Sequence, residues 1–272
     1  MKAFGLSDIG LSRENNEDVW IACPEIGFFA IADGMGGHRA GEIAAKETIE
    51  HLLSSIKKIR SHSAIDWMIH LRQAIENANQ WVYLLGQNHE TLNGMGTTLC
   101  CVIWIKDAVI YAHVGDSRIY RMRKSKLQLL TQDHSLFAKW LRIGKESQTP
   151  FPYKNVITRA VGTGSKANPE IAISTHEPGD LFFLCTDGLS DVLSLEDIEK
   201  MINHSQDLEE VSKKLIEEAK FKGSSDNITL LMIQSEKSRA ENLSRQQRDH
   251  RPRFQSLQGD AFGPEWSSSE SI

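Results

Sequence analysis

Short apolar runs bounded by an aspartate are the feature of this 272-residue sequence that most restricts its fold. Runs of about four to eight apolar residues between turn residues are typical of buried strands. The clearest examples are GFFAIA before Asp33, LFFLCT before Asp187, and ITLLMI shortly after Asp226. These aspartates are therefore expected at the ends of core strands, with their carboxylates directed into a cleft.

A fourth aspartate, Asp116, lies in VGDSR, where two further strand-like runs meet. Strand ends often converge in a sandwich, and converging carboxylates repel one another unless cations neutralise them. Oxygen ligands favour Mg²⁺ or Mn²⁺ over zinc. Each aspartate alone would be an ordinary turn residue, but together the four predict a site for divalent cations.

Two further segments could contribute to such a site. In DGMGGH (33–38) the glycines allow the backbone to approach a ligand closely, so the Gly34 carbonyl could bind a hard cation. In RENNED (13–18), Arg13 offers a planar fork of donors for phosphate. Taken alone, DGMGGH would be a turn with an acidic cap, and RENNED would be a charged surface turn.

Periodicity and residue type indicate a mixed α and β chain. Apolar residues at helical spacing predict helices at 41–60 and 64–85. Runs rich in β-branched and aromatic residues predict strands at 19–23, 27–32, 97–106, 108–114, 118–123, 127–131, 170–175, 180–186 and 227–234. The remaining predictions are a tight hairpin at 106–107, helices at 134–143, 195–203 and 208–221, and a loop or flap at 144–155.

The bulk properties restrict partners and compartment. The net charge of −5 argues against nucleic acid as the main partner. No CxxC pair or signal-peptide core is present, and no apolar run reaches the roughly 20 residues of a membrane span. A cytoplasmic, monomeric protein with reduced cysteines is expected. Residues 1–236 are predicted to form the folded domain, and 237–272, which have few aliphatic residues, a disordered tail.

In their order along the chain, these segments resemble the protein phosphatase 2C family, the metal-dependent protein phosphatases. The matching stretches are RENNED (13–18), DGMGGH (33–38), GTT (96–98), VGDSRIY (114–120), LTQDHS (130–135), ITRAVG (157–162), TDGLSD (186–191) and DNIT (226–229). The form of DGMGGH is similar to that of the bacterial branch. The resemblance implies an α+β fold, an α-β-β-α sandwich of two antiparallel sheets flanked by helices, with residues 1–236 as the catalytic domain.

The resemblance also implies a set of metal ligands. By position, Asp33 should bridge two cations, and Gly34 should offer its carbonyl to the first. Asp187 and Asp226 should hold the second cation, and Asp116, together with Asp187, should form a third site. Two or three Mn²⁺ or Mg²⁺ ions per chain are therefore expected.

Other positions are assigned by the same resemblance. Arg13 should bind the phosphate, while Glu17 and Asp18 match acidic positions that surround the metals without binding them directly. Many eukaryotic relatives carry a histidine, the proposed general acid, where this chain has Met35. His38 lies three residues further on and cannot simply inherit that role, so the proton donor stays unassigned, with a metal-bound water as the candidate.

The function implied is that of a serine/threonine protein phosphatase. It would hydrolyse phosphoserine and phosphothreonine by attack of a metal-bridging hydroxide and oppose a serine/threonine kinase acting on the same proteins. One alternative is a phosphoprotein-binding module without activity, although all the matched aspartates are present. Another is a different metallohydrolase, such as a nuclease or small-molecule phosphatase, although the acidic domain disfavours nucleic acid.

Overall fold

The computed structural model describes residues 1–36, 40–61, 63–106, 108–143, 153, 155–205 and 207–235. The strands in this part are β1 (Lys2–Asp8), β2 (Asp18–Cys23), β3 (Phe28–Met35), β4 (Gly96–Thr97), β5 (Leu99–Ile105), β6 (Ala108–Val114), β7 (Arg118–Arg123), β8 (Lys126–Leu129), β9 (Glu170–Ser174), β10 (Leu181–Cys185) and β11 (Ile228–Gln234). The helices are α1 (Ala40–Ile56), α2 (Ala64–Asn88), α3 (Leu136–Arg142), α4 (Asp187–Ser190), α5 (Leu195–His204) and α6 (Leu208–Phe221).

The strands form two sheets in which every neighbouring pair is antiparallel. The first sheet has the order β1-β11-β10-β7-β8. The second has the order β2-β3-β5-β6-β9, and the short β4 pairs with the end of β3. The predicted α+β architecture with two antiparallel sheets is confirmed.

The inner faces of the two sheets pack against each other. Because side chains alternate along a strand, every second residue of an apolar run points to the same face. Phe29 and Ile31 of β3 share one fully buried cluster with Phe182 and Leu184 of β10. This central layer explains why both runs are continuously apolar, since each strand is buried on both sides.

Helices cover the outer faces. Phe28 of β3 packs in a cluster with Leu52 of α1 and Leu71 of α2. On the other sheet, Phe183 of β10 packs in a cluster with Leu215 of α6. Truncating side chains of this size and burial to alanine typically costs about 2–5 kcal/mol, so both outer layers contribute substantially to stability.

Several predicted boundaries were wrong by a few residues. Helix α1 ends at Ile56 instead of residue 60, and the Arg60 guanidinium donates to the carbonyls of Lys57 and Ile59 beyond that end. Helix α3 begins at Leu136 instead of 134, because the Ser135 hydroxyl caps it by accepting from the backbone N–H of Ala138.

Two strands also differ from their predictions. The predicted strand 97–106 is divided into β4 and β5 at Thr98, and the predicted strand 127–131 is β8, which ends at Leu129. Beyond β8, the Thr131 hydroxyl accepts from the backbone N–H of Ile119. The predicted hairpin at 106–107 is confirmed by pairing of Ile105 with Ala108, although Asp107 itself lies outside the described residues.

Some predictions fall on residues that the structure does not describe. They include His38, most of the predicted loop 144–155, and the tail 237–272, whose disorder stays a prediction. Within the described residues, no helix is both long enough and apolar enough to cross a membrane. The four cysteines, all of them described, are free, and three are buried.

Candidate metal centre

An open cavity of about 280 Å³ collects nearly all of the predicted site residues. Its lining consists of Arg13, Glu17, Asp33, Gly34, Met35, Gly36, Thr98, Asp116, Asn155, Ile157, Asp187 and Asp226. Asp18 is the predicted residue that does not line it; its side chain is buried and contributes to the electrostatics of Asp33 from there. Segments separated by more than 200 positions in sequence therefore meet at one place, as the strand-end pattern predicted.

Asp33 lies inside β3 and not at its end, which corrects the prediction. The strand continues to Met35 because Gly34 and Met35 pair with Thr97 and Gly96 of β4. A Cβ atom on Gly34 would lie 2.2 Å from the carbonyl oxygen of Gly41. Gly34 is thus required for close packing against the start of α1, in addition to any role of its carbonyl.

The GTT segment holds Asp33 in position, a role that the sequence analysis had not assigned. The Asp33 carbonyl accepts two hydrogen bonds of 2.8 Å, one from the backbone N–H of Thr98 and one from the hydroxyl of Thr97. The Asp33 N–H donates in turn to the Thr98 hydroxyl oxygen at 3.1 Å. These bonds fix the backbone on both sides of the Asp33 side chain.

Asp187 and Asp226 lie where the apolar runs predicted. Asp187 is the first residue of α4, directly after β10, and its side chain hydrogen bonds to that of Asp33. Asp226 precedes β11; its Oδ1 accepts from the N–H of Asn227 at 2.8 Å, and its Oδ2 accepts from Arg13 at 2.6 Å. The Arg13 side chain is 49% exposed, so its guanidinium lies at the mouth of the cavity.

Asn227 anchors the segment that carries Arg13, and sequence reasoning missed this function. Its amide nitrogen donates to the carbonyls of Ile9 and Asn15, both at 2.9 Å, and its Oδ1 accepts from the N–H of Glu17 at 2.9 Å. Asn227 is buried, and one side chain thereby ties the 9–17 segment to β11. The DNIT motif was a signal for this residue, but its partners lie far away in sequence.

Burial and mutual repulsion raise the pKa values of the clustered carboxyl groups. The pKa of Asp33 lies well above its ordinary range because of burial, and then because of the neighbouring charges of Asp18 and Asp187. Burial is also the main cause for Asp18 and Asp116, whose pKa values are each raised to about 7, and for Asp187, raised to about 6. The ionised cluster is therefore unfavourable without compensating positive charge.

The residues present fit a hard divalent cation. Oδ1 of Asp18 and Oδ1 of Asp187 are buried and have no hydrogen-bond partner among the described residues. Buried polar atoms in native proteins are rarely left unpaired. The donor set around the cavity is composed of oxygen atoms, which are the ligands that Mg²⁺ and Mn²⁺ prefer.

A second group of potential ligands, remote from the predicted set, consists of His113, His134 and Glu170, with one ligand atom from each within 4.8 Å of the others. The Gly115 N–H donates to His134 Nδ1 at 3.2 Å. Nδ1 is therefore the unprotonated nitrogen of a neutral ring. His134 Nε2 lies 3.1 Å from Glu170 Oε1 and 3.0 Å from Arg159 Nη1. Arg159 Nη1 lies 3.0 Å from the same Glu170 oxygen, and its guanidinium supplies the positive charge there.

The two-sheet sandwich carries a cavity of clustered carboxylates whose oxygen atoms suit divalent cations. Residues 12–225 match the family model described as Protein phosphatase 2C. The chain belongs to this family. The predicted family, fold and enzyme class, a metal-dependent phosphoprotein phosphatase, are confirmed.

Individual relatives agree over almost their whole length. The chain is 34% identical over 244 residues to the serine/threonine phosphatase Stp of Listeria welshimeri, covering 86% of this chain and 96% of the relative. It is similar to the solved serine/threonine phosphatase of S. agalactiae, with a TM-score of 0.81, 34% identity, and coverage of 86% and 99%. A structure of the PstP catalytic domain in complex with two manganese ions gives a TM-score of 0.76 and 29% identity, with coverage of 86% and 98%.

Proposed function

We propose that the protein hydrolyses phosphoserine and phosphothreonine in other proteins, using two or three Mn²⁺ or Mg²⁺ ions held in the acidic cavity. The observation that carries this proposal is the convergence of Asp33, Asp116, Asp187 and Asp226 on one cavity in which their charges repel. The substrate class is supported by the relatives named as serine/threonine phosphatases. The cation is supported by the relative that contains two manganese ions.

In this proposal the carboxylates of Asp33, Asp116, Asp187 and Asp226 hold the ions, together with the Gly34 carbonyl. When bound, the divalent cations neutralise these carboxylates, act as Lewis acids on the phosphoryl group and make water nucleophilic near neutral pH. The unpaired Oδ1 of Asp187 is available as a ligand atom. Glu17 and Asp18 contribute negative charge around the ligands.

Arg13 binds and orients the phosphoryl group at the cavity mouth. Its guanidinium already lies beside Asp226, and its planar donors match two phosphate oxygens. Donors in this position stabilise the charge that develops on the phosphoryl oxygens during transfer. Arg13 therefore orients the phosphoryl group at the acidic cavity.

Met35 lines the cavity and cannot supply a proton to the leaving serine or threonine oxygen. The proton donor is therefore unassigned among the lining residues, and a metal-bound water is the candidate. Asn155 and Ile157 also line the cavity and are placed to contact the peptide around the phosphorylated side chain. An enzyme with this activity opposes serine/threonine kinases, and the predicted cytoplasmic location and monomeric state stay part of the proposal.

Hydrolysis of a phosphoserine peptide by the purified full chain tests the proposal. Phosphate release is measured in Mn²⁺, in Mg²⁺ and in excess EDTA, with Asp33→Asn as the site variant. Glu50→Gln is a matched control because it also removes one negative charge, from an exposed position on α1. We expect cation-dependent release that Asp33→Asn abolishes and Glu50→Gln leaves unchanged.

The same experiment separates the alternatives. Binding of the phosphopeptide without turnover in any cation would identify a binding module. Faster hydrolysis of a nucleotide or of DNA than of the phosphopeptide would identify a different metallohydrolase. Full turnover in excess EDTA would contradict the metal requirement.

A further inference from the structure

We propose that His134 is a positioning residue for the cation site at Asp116, because it clamps the neighbouring Gly115 through two hydrogen bonds and so fixes the direction of the Asp116 carboxylate. This inference rests on the proposed function, since it requires that Asp116 binds a cation. His134 does not line the acidic cavity and makes no contact there itself. It would act through the backbone of the turn that carries Asp116.

His134 forms hydrogen bonds with both polar backbone groups of Gly115, its N–H and its carbonyl. The Gly115 N–H donates to His134 Nδ1 at 3.2 Å, and the His134 N–H donates to the Gly115 carbonyl at 2.9 Å. The peptide planes on either side of Gly115 are thereby fixed, and Asp116 follows on the second plane.

The turn needs such a restraint because of its backbone conformation. Gly115 has a φ of +102°, and a Cβ atom there would lie 2.7 Å from Thr98 Cγ2. Glycine is therefore required at this position, but glycine also leaves the backbone free to adopt other conformations. The bonds from His134 remove that freedom at the residue next to the proposed ligand.

The His134 imidazole, which accepts the hydrogen bond from Gly115, also contacts His113 and Glu170. Its ring is 5% exposed and stacks on His113, with ring centroids 4.4 Å apart and an interplanar angle of 22°. Its Nε2 lies 3.1 Å from Glu170 Oε1, which Arg159 also contacts. His113 and Glu170, the other two members of the second group of potential ligands, thus hold the His134 ring in place by stacking and by contact with Nε2.

His134 also connects the Asp116 turn to a second wall of the cavity. Its carbonyl accepts from the N–H of Thr158 at 2.6 Å and from the Thr158 hydroxyl at 3.1 Å. Thr158 is adjacent to Ile157, which lines the acidic cavity. One buried residue therefore fixes Asp116 relative to the wall that faces the substrate.

The test compares two substitutions that differ in one property. In His134→Asn, the amide oxygen can replace Nδ1 as the acceptor for the Gly115 N–H. In His134→Phe, the stacked ring remains but the acceptor is lost. The matched control is His113→Phe, which changes the other ring of the stack without touching Gly115.

Mn²⁺ binding to the full chain is measured by isothermal titration calorimetry and by electron paramagnetic resonance of the free ion. The Asp116→Asn variant identifies the class of Mn²⁺ sites that depends on Asp116. We expect His134→Phe to weaken that class by about tenfold, as is typical for residues that orient metal ligands. His134→Asn should stay within about threefold of the wild type, and His113→Phe should leave the class unchanged. Thermal unfolding with EDTA reports whether each variant is folded.

Unchanged Mn²⁺ affinity in a folded His134→Phe variant, or equal loss in the Asn and Phe variants, would overturn the inference. A wild type that binds no Mn²⁺ would overturn the proposed function as well, so the two failures can be distinguished. Should His134→Phe not fold, ¹⁵N spectra of histidine-labelled wild type replace it. The His134 Nδ1 signal should then shift as Mg²⁺ fills the Asp116 site but not in Asp116→Asn, and no shift in the wild type would overturn the inference.

Discussion

Replacing Asp18 by asparagine should stabilise the protein in the presence of a chelator, although Asp18 belongs to the proposed functional site. The Asp18 side chain is 8% exposed, its Oδ2 accepts from the Thr186 hydroxyl at 3.0 Å, and its Oδ1 has no partner among the described residues. Asparagine keeps an acceptor for Thr186 and removes the charge. A buried charge that repels its neighbours is lost, and a neutral group of the same shape takes its place.

The magnitude follows from the pKa of Asp18, which burial raises from 3.8 to about 7. Each pKa unit corresponds to about 1.36 kcal/mol, so the upper limit is about 4 kcal/mol of unfolding free energy at pH 8. Protonation of one carboxyl relieves the others, and for this reason we expect about 2 kcal/mol. Because the folded-state pKa is raised, the contribution of Asp18 to stability is fully present below pH 3.8 and is lost as the pH rises through 7.

Urea denaturation in EDTA, followed by tryptophan fluorescence at pH 4, 6 and 8, measures this effect. The difference between Asp18→Asn and wild type should be close to zero at pH 4 and should increase towards pH 8. Saturating Mn²⁺ should reduce or reverse this difference in stability, because cations that bind the folded wild type stabilise that protein by mass action. Glu50→Gln, with the same change in charge at an exposed position, should change the stability by less than about 0.5 kcal/mol at each pH.

If Asp18→Asn is as stable as wild type, or less stable, in EDTA at pH 8, the buried charge of Asp18 does not destabilise the fold, and this would refute the prediction. An equal gain for Glu50→Gln would also refute it, because the gain would then reflect net charge and not the buried cluster.

Three further outcomes follow from the structure. Gly10→Ala should destabilise the fold by about 1–3 kcal/mol in urea denaturation and weaken Mn²⁺ binding in calorimetry, because the new Cβ would lie 2.2 Å from the Asp226 carbonyl oxygen. Gly94 has a similar φ but no atom within 4 Å of the position of a Cβ, so Gly94→Ala should leave Mn²⁺ binding unchanged. Burial lowers the pKa of His134 to about 4, so as the pH falls the unfolded state is protonated before the folded state. The unfolding free energy of the wild type should therefore fall by about 3 kcal/mol between pH 7 and pH 4, relative to that of His134→Asn. Urea denaturation measures this difference. Arg13→Lys, which replaces a planar fork by a point charge, should lower kcat/KM for a phosphoserine peptide by about tenfold in steady-state assays, because the paired donors are lost both in substrate binding and during transfer. An unchanged kcat/KM would contradict phosphate binding by Arg13.

The sequence was most informative where the chemistry is encoded locally. The apolar runs next to Asp187 and Asp226 predicted buried strands and placed both carboxylates correctly at strand ends. Such runs are local signals, because a strand buried on both faces has to be apolar throughout. The grouping of the four aspartates followed from one further assumption, that the strand ends converge.

Features that depend on contacts between distant segments could not be predicted. Asp33 lies within β3 because two residues, Gly96 and Thr97, pair with its continuation, and no local pattern near Asp33 indicates that pairing. The bonds from Asn227 to the Arg13 segment join residues more than 200 positions apart. The His134 clamp on Gly115 is similarly non-local, since neither residue has a pattern that specifies the other.

Anomalous X-ray diffraction at the manganese edge, from crystals of the full chain grown with Mn²⁺, shows directly whether the acidic cavity binds the cations. The proposed metal site predicts anomalous peaks in the acidic cavity, with Asp33 contacting two ions and Asp187 and Asp226 contacting at least one. A cavity without anomalous density at saturating Mn²⁺, or density at His113, His134 and Glu170 instead, would contradict it.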